Sequence, residues 1–213
     1  MSNFDLIVKG GTISTASDTF KADIAVNGER IVALGEDLGT ANQIIDAKNM
    51  TVLPGGIDSH CHIEQESSTK LMTADDFFSG SVSAVFGGNT TFIPFAAQHN
   101  GQSLRDVINT AHQRAGPKSV IDYAFHLIIS DPSENVLGQE LPALIMEGYS
   151  SFKVYMTYEM LKIDDHQMLE VLSLARKYGA MTMVHAENNE VINWISERLL
   201  QRGYQAPKFH AVS

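Results

Sequence analysis

The sequence predicts an α/β chain in which a short all-β segment leads into a parallel sheet built from repeated βα units. Two observations carry that expectation. From about residue 53 onward, apolar runs of strand length alternate with amphipathic stretches of helix length. Before that point, short alternating runs are punctuated by Gly10-Gly11 and by Asn27-Gly28, the second a strong hairpin signal.

In order, DLIVKGGTIST reads as strand, Gly-Gly turn and strand, ADIAV and RIVALG flank the Asn27-Gly28-Glu29 turn, and QIIDA and MTVLP follow. Residues 1–52 are thus expected to form a β-meander, the N-terminal strands of a small β-sandwich domain. In residues 53–213 the expected strands are TVLPGGID, NTTFIPF, SVIDYAFHLII, SSFKVYM and AMTMVHA. Helices are expected over 74–86, 104–115, 137–147, 165–178 and 190–201. Gly87-Gly88, Gly116-Pro117, Gly148 and Gly179 stand where the first four of these should stop. Five βα units of roughly 30 residues fall short of the about 250 residues that a closed eight-stranded barrel needs. Two architectures satisfy this arithmetic: an open doubly wound sheet, or a (β/α)8 TIM-type barrel truncated after its fifth unit.

The composition narrows the function. With 44% hydrophobic residues, the chain has ample material for a core. A formal net charge of −10 with no Lys/Arg cluster argues against nucleic acid and anionic membrane surfaces as partners. The single cysteine, Cys61, excludes an intrachain disulfide and fits a reducing cytoplasm. MSNFDLIVKG lacks the basic-then-apolar pattern of a signal peptide, and runs such as AFHLIIS are too short to cross a bilayer. A cytoplasmic protein is expected.

Chemistry is concentrated in Pro54-Gly55-Gly56-Ile57-Asp58-Ser59-His60-Cys61-His62. Residues two apart in a strand project to one face, so His60 and His62 point together while Cys61 faces the core. Two converging imidazoles at the end of an apolar strand make half of a zinc-type site. Asp58 either orients a ligand or is structural. In Ser-Phe-Lys-Val-Tyr-Met, Lys153 shares a face with Ser151 and Tyr155. Burial lowers a lysine pKa. The neutral amine can form a Schiff base or add carbon dioxide to give a carbamate able to bridge two metals; an ordinary structural lysine is the third reading. His60 and His62 tip the balance to the carbamate. His185 ends the strand Met-Thr-Met-Val-His, at the level where barrel active sites sit, and as a third histidine there it reads as a ligand. These convergent residues favour the barrel over the open sheet. Glu187 and Asn188 read as helix-start residues. His99, His112, His166 and His210 read as surface or loop residues, and His126 as a cavity-lining residue without chemistry of its own.

Taken together, GGIDSHCH, TADDFFSGSVSAVFGGNTT, VIDYAFH, GYSSFKVYMTY and HAEN closely resemble the cyclic amidohydrolases, the D-hydantoinases and dihydropyrimidinases, over essentially the whole chain. GGIDxHxH alone would indicate only the wider amidohydrolase group. The resemblance implies two divalent metal ions, zinc by preference. His60 and His62 are then ligands of one, His185 of the other, and Lys153 bridges both as N6-carboxylysine. It implies that Tyr158 hydrogen-bonds a developing oxyanion, and that loops around 64–70, 96–100 and 158–161 gate substrate size and handedness. A second histidine on the second metal and a proton-shuttling aspartate are expected from strands after Ser213. The implied reaction, in the full-length protein, is hydrolytic opening of a hydantoin or 5,6-dihydropyrimidine ring to an N-carbamoyl amino acid by a homotetramer; the 213-residue chain alone is expected to be inactive. The competing readings are a truncated, inactive relative, a non-catalytic dihydropyrimidinase-like interaction protein, and an aldolase using Lys153.

Overall fold

The computed structural model of the protein describes residues 3–66 and 71–212 and divides into two compact units, Met1–Gly56 and Ile57–Ser213.

The first unit holds seven strands: β1 (Phe4–Lys9), β2 (Thr12–Ser14), β3 (Thr19–Lys21), β4 (Asp23–Asn27), β5 (Arg30–Gly35), β6 (Ala41–Asp46) and β7 (Thr51–Val52). The Asn-Gly signal is met by a β4–β5 hairpin closed at Asn27↔Arg30, with Gly28 at φ +57°. The meander is not. β1 pairs antiparallel with β4 and parallel with β6, and β2 pairs with β3 and β7, giving sheets β5-β4-β1-β6 and β3-β2-β7. Gly10-Gly11 passes the chain from one sheet to the other instead of folding β2 back on β1. Gly10 lies at φ +76° and its N–H donates to the buried Asp23 carboxylate at 2.8 Å. A Cβ on Gly11 would stand 2.6 Å from Val52 Cγ2. Alternation reveals strands, but the turn and its contacts decide which strands pair.

The second unit is the parallel sheet with its helices. β8 (Gly56–Cys61) is followed by α1 (Phe77–Phe86), β9 (Asn89–Ala97), α2 (Leu104–Ala115), β10 (Asp122–Tyr123) and β11 (His126–Ile128). A π-turn at Val136–Glu140 runs into α3 (Leu141–Met146), then β12 (Ser151–Tyr155), α4 (Asp165–Tyr178), β13 (Met181–His185) and α5 (Asn189–Gln201). A 3₁₀ segment, Pro207–Val212, comes last. β8 pairs with β9, which pairs in parallel with β10 and β11; β11, β12 and β13 continue the parallel order. Counting β10 and β11 as two parts of one strand, this is a curled half-barrel of five strands.

The third expected strand is interrupted for a reason that lies on its neighbour. Asp122↔Thr91 and His126↔Phe95 keep one register, and the gap falls opposite Pro94, which has no N–H to give to the ladder. Helix starts follow their caps. Asp76 accepts from the N–H groups of Phe78 and Ser79 and fixes α1 at Phe77, three residues later than expected. Asp164 caps α4, and Gly179 ends it in the left-handed region that favours glycine. In the third helix Pro142 cannot donate to the preceding turn, and Leu141 N–H reaches Val136 O instead, widening the helix there.

The pleat sorts the strands into two faces. Phe92, Ala96, Leu127, Phe152 and Val154 pack with Leu104, Ile108, Leu144 and Val171 of the helices in one core cluster. Phe95, Ile128 and Tyr155 form a second cluster on the other, concave face. No helix among the described residues is long and apolar enough to cross a membrane.

Phe152 is fully buried between sheet and helices, whereas Phe86 at the end of α1 is 89% exposed. Phe152→Ala is expected to lower unfolding free energy by about 3–5 kcal/mol in a urea titration, and Phe86→Ser by no more than about 0.5 kcal/mol.

Candidate functional site

His60 is on β8 and His62 one residue past its end, and their rings meet edge-to-face with centroids 5.7 Å apart. Both rest on Phe95, at 4.8 Å and 5.1 Å. Cys61, between them, points the other way into the core cluster beside the helices. Asp58 accepts the backbone N–H of His60 at 3.1 Å, so it fixes the strand end rather than an imidazole ring.

Lys153 enters the same floor from β12. Its Nζ lies 5.1 Å from the Phe95 ring centroid and 5.0 Å from that of Tyr155. Burial among these rings lowers the Lys153 pKa from the usual lysine range. His60 is likewise held below the usual imidazole value, by desolvation first and then by the charges of Lys153, His62 and His126, against an opposing effect of Asp58. His126 is buried behind this group with both ring nitrogens engaged: Nε2 lies 3.0 Å from Ser59 O and Nδ1 2.6 Å from Ser151 Oγ. A carbonyl only accepts, so the proton sits on Nε2 and Nδ1 accepts from the serine hydroxyl. Neither nitrogen is left for a ligand.

His185 pairs directly with Tyr155 in the β12–β13 ladder, and the two rings stack at 5.6 Å. The Tyr158 ring lies 5.0 Å from His185. Glu187 takes the His185 Nε2 as a hydrogen-bond partner, which leaves Nδ1 as the ring's lone-pair donor. Glu187, which immediately precedes the cap of α5, has this contact with His185 in addition to its place at the helix start. Asn188 does cap α5, accepting Val191 N–H at 3.0 Å. The structure thus gathers His60, His62 and Lys153 around Phe95, with Tyr155 carrying the contact on to His185 and Tyr158. Among the described residues, no three His, Cys, Asp or Glu side chains come close enough to hold a metal by themselves.

Residues 51–205 match the family model described as "Amidohydrolase family". The chain belongs to that family. Among curated relatives, the D-hydantoinase of Geobacillus stearothermophilus is 41% identical over 210 residues, covering 97% of this chain and 44% of the relative. Among solved structures, the dihydropyrimidinase of Brevibacillus agri superposes with a TM-score of 0.91 at 40% identity, covering 97% of this chain and 45% of that one. The L-hydantoinase (dihydropyrimidinase) of Arthrobacter aurescens gives a TM-score of 0.80 at 26% identity over 94% of this chain and 44% of that one. The chain spans a little under half the length of the relatives it matches.

Around this amidohydrolase floor, three rim loops each contain a polar side chain that makes several contacts at once. Glu64, at φ +46°, accepts from Lys118 Nζ through both carboxylate oxygens at 2.8 Å and from the Phe77 N–H at 3.2 Å. Part of its loop, residues 67–70, lies outside the described residues. Gln98 is fully buried and spends its whole amide on Gln102, Ser130 and Asp131, tying the loop after β9 to the loop after β11. Asn189 holds both neighbours of Tyr158: its Oδ1 accepts from the Thr157 hydroxyl at 3.1 Å and its Nδ2 donates to Glu159 at 3.3 Å. Tyr158 itself sits at φ +68°, a conformation costly for a tyrosine and kept only by such contacts. Phe95, Gln98 and Asn189 were missed in the sequence. Phe95 alone left a signal, since alternation in NTTFIPFAA sets it opposite Phe92.

Two outcomes follow. Asn189→Ala should speed amide hydrogen exchange at Tyr158–Ile163 while leaving the β12 strand amides protected; unchanged exchange would rule out the clasp. Burial, aided by Asp58, pushes the Cys61 thiol up to about 11 from its ordinary 9.0. At pH 8, iodoacetamide should therefore label the native protein about 100-fold more slowly than the unfolded chain.

Proposed function

We propose that this chain carries part of a binuclear metal site for hydrolytic ring opening of cyclic amides, hydantoins or 5,6-dihydropyrimidines, to N-carbamoyl amino acids. The observation that supports it most is the convergence of His60, His62 and the Lys153 amine on Phe95, at one face of an amidohydrolase half-barrel. The relatives named as D-hydantoinases and dihydropyrimidinases supply the substrate class.

The donor set fits a metal pair on one condition. His60 and His62 would hold one ion and His185, through Nδ1, the other; neither group is a complete site on its own. An oxygen donor would complete the set, and Lys153 would provide it as a carbamate. Its neutral amine adds carbon dioxide, a C–N bond forms, one proton leaves to water, and the product is a bidentate anion. Two bound divalent ions, zinc by its preference for imidazole, would supply Lewis acidity and a water of lowered pKa.

The chain's own groups do the rest. The faces of Phe95 and Tyr155, 5.1 and 5.0 Å from the lysine nitrogen, would shield the carbamate on two sides. Tyr158, fixed beside His185, donates its phenol proton in a hydrogen bond to the oxyanion that develops on the ring carbonyl under attack. The rim loops at 64–66, 96–100 and 158–161 meet the ring substituent, and the reaction belongs to the cytoplasm.

Lys153→Ala is expected to abolish metal loading, read by elemental analysis, together with ring opening, read by loss of substrate absorbance. Normal metal content with full activity would rule out the bridging role. Tyr158→Phe should keep its metal and lose about 10²–10³ in kcat.

A further inference from the structure

After β8, residues 64–66 and 72–75 lie side by side. Glu64 N–H donates to Asp75 O at 2.9 Å, Thr73 N–H to Gln65 O at 3.0 Å, and Glu66 bridges Met72 antiparallel. Gln65 N–H also donates to Thr73 Oγ1 at 3.1 Å, so the Gln65 backbone is clamped on both sides. Its neighbour Glu64 bolts this pair of segments to Lys118 and to the start of α1. From this fixed base the Gln65 side chain reaches back to the histidine pair, and its Oε1 lies 2.6 Å from His62 Nδ1.

An amide oxygen can only accept, so this contact requires the proton on Nδ1. The lone pair of His62 is then confined to Nε2. In free imidazole the two neutral tautomers exchange, and the one with a proton on Nε2 cannot ligate through that nitrogen. Metal-binding histidines are commonly set in this way, by giving the other ring N–H to a fixed acceptor. His185 has such an acceptor in Glu187. For His62 the acceptor among the described residues is Gln65.

We propose that Gln65 is a positioning residue which, from its clamped backbone, holds His62 as the Nδ1–H tautomer and reserves Nε2 for a divalent metal. The metal half of this statement rests on the function proposed above; the tautomer half does not.

The two halves can be tested apart on the 213-residue chain. With ¹⁵N-labelled histidine, long-range ¹H–¹⁵N correlation of the metal-free protein reads the His62 tautomer directly, and chelator competition reads zinc affinity. Wild type should show Nδ1–H at His62. Gln65→Leu should give mixed tautomers and about 10–100-fold weaker zinc binding, whereas Gln65→Glu, which retains an acceptor, should restore both. A thermal melt of each variant separates this effect from misfolding, since the leucine variant should unfold at nearly the wild-type temperature. An Nε2–H tautomer in wild type, or a tautomer and affinity unchanged in Gln65→Leu, would overturn the proposal. The Nδ1–H tautomer in a wild-type chain that binds no zinc would support the Gln65 contact and sink the metal-site reading instead.

Discussion

The two-residue period of a parallel strand is the constraint on which this molecule depends. Each strand of the half-barrel packs one face against helices and turns the other to the concave side. In β12 the outward residues Phe152 and Val154 are fully buried, and the inward ones are Ser151, Lys153 and Tyr155. A slip of one residue would drive the Lys153 amine into the apolar layer and lift two large side chains out of it. Burying either aliphatic or aromatic side chain contributes roughly 1.5–3 kcal/mol, and an unpaired amine in that layer costs several more. The register that places the chemistry is therefore enforced by the core on the opposite face.

On the concave face, aromatic rings set the electrostatics. Phe95 touches His60, His62, His126 and the Lys153 ammonium, and Tyr155 touches Lys153, His185 and Tyr158. Ring faces attract a cation weakly, by about 0.5–2 kcal/mol, while excluding the water that would stabilise it far more. The balance lowers the Lys153 pKa from the usual lysine range, with desolvation as the cause. A carboxylate in place of Phe95 would pair with the ammonium and hold it charged. What the floor offers is nitrogen-bearing side chains packed on aromatic rings.

How much of this was legible in the sequence follows from how far apart the interacting residues lie. His60, His62 and Lys153 could be read because strand alternation alone orients them, and His185 because it ends its strand. The βα order and most helix boundaries depend on caps within a few residues of the element they close, as Asp164 and Gly179 do for α4. The sequence misled where a distant partner decides the outcome. Pro94 interrupts its neighbour's strand, a turn at Gly10-Gly11 changes sheets because Val52 and Asp23 lie against it, and Gln98 is buried by loops from another unit of the repeat. The contact of Glu187 with His185, two positions back, was not legible because it is reached only once the strand has ended.

The rim differs from the floor in how it is held, and this bears on function. Floor residues stand on strands whose register is fixed by many buried contacts, so their displacement is opposed by the stability of the whole unit. Each rim loop is held largely by a few polar contacts instead, among them the Glu64 ion pair with Lys118, the filled amide of Gln98, and the grip of Asn189 on Thr157 and Glu159. Such attachments are each about 1–3 kcal/mol, enough to define a resting position and small enough to open on their own. Tyr158 adds a positive φ that favours release once the clasp lets go. A site built this way keeps the nitrogens of His60, His62 and Lys153 rigid on the floor while the rim side chains remain able to move.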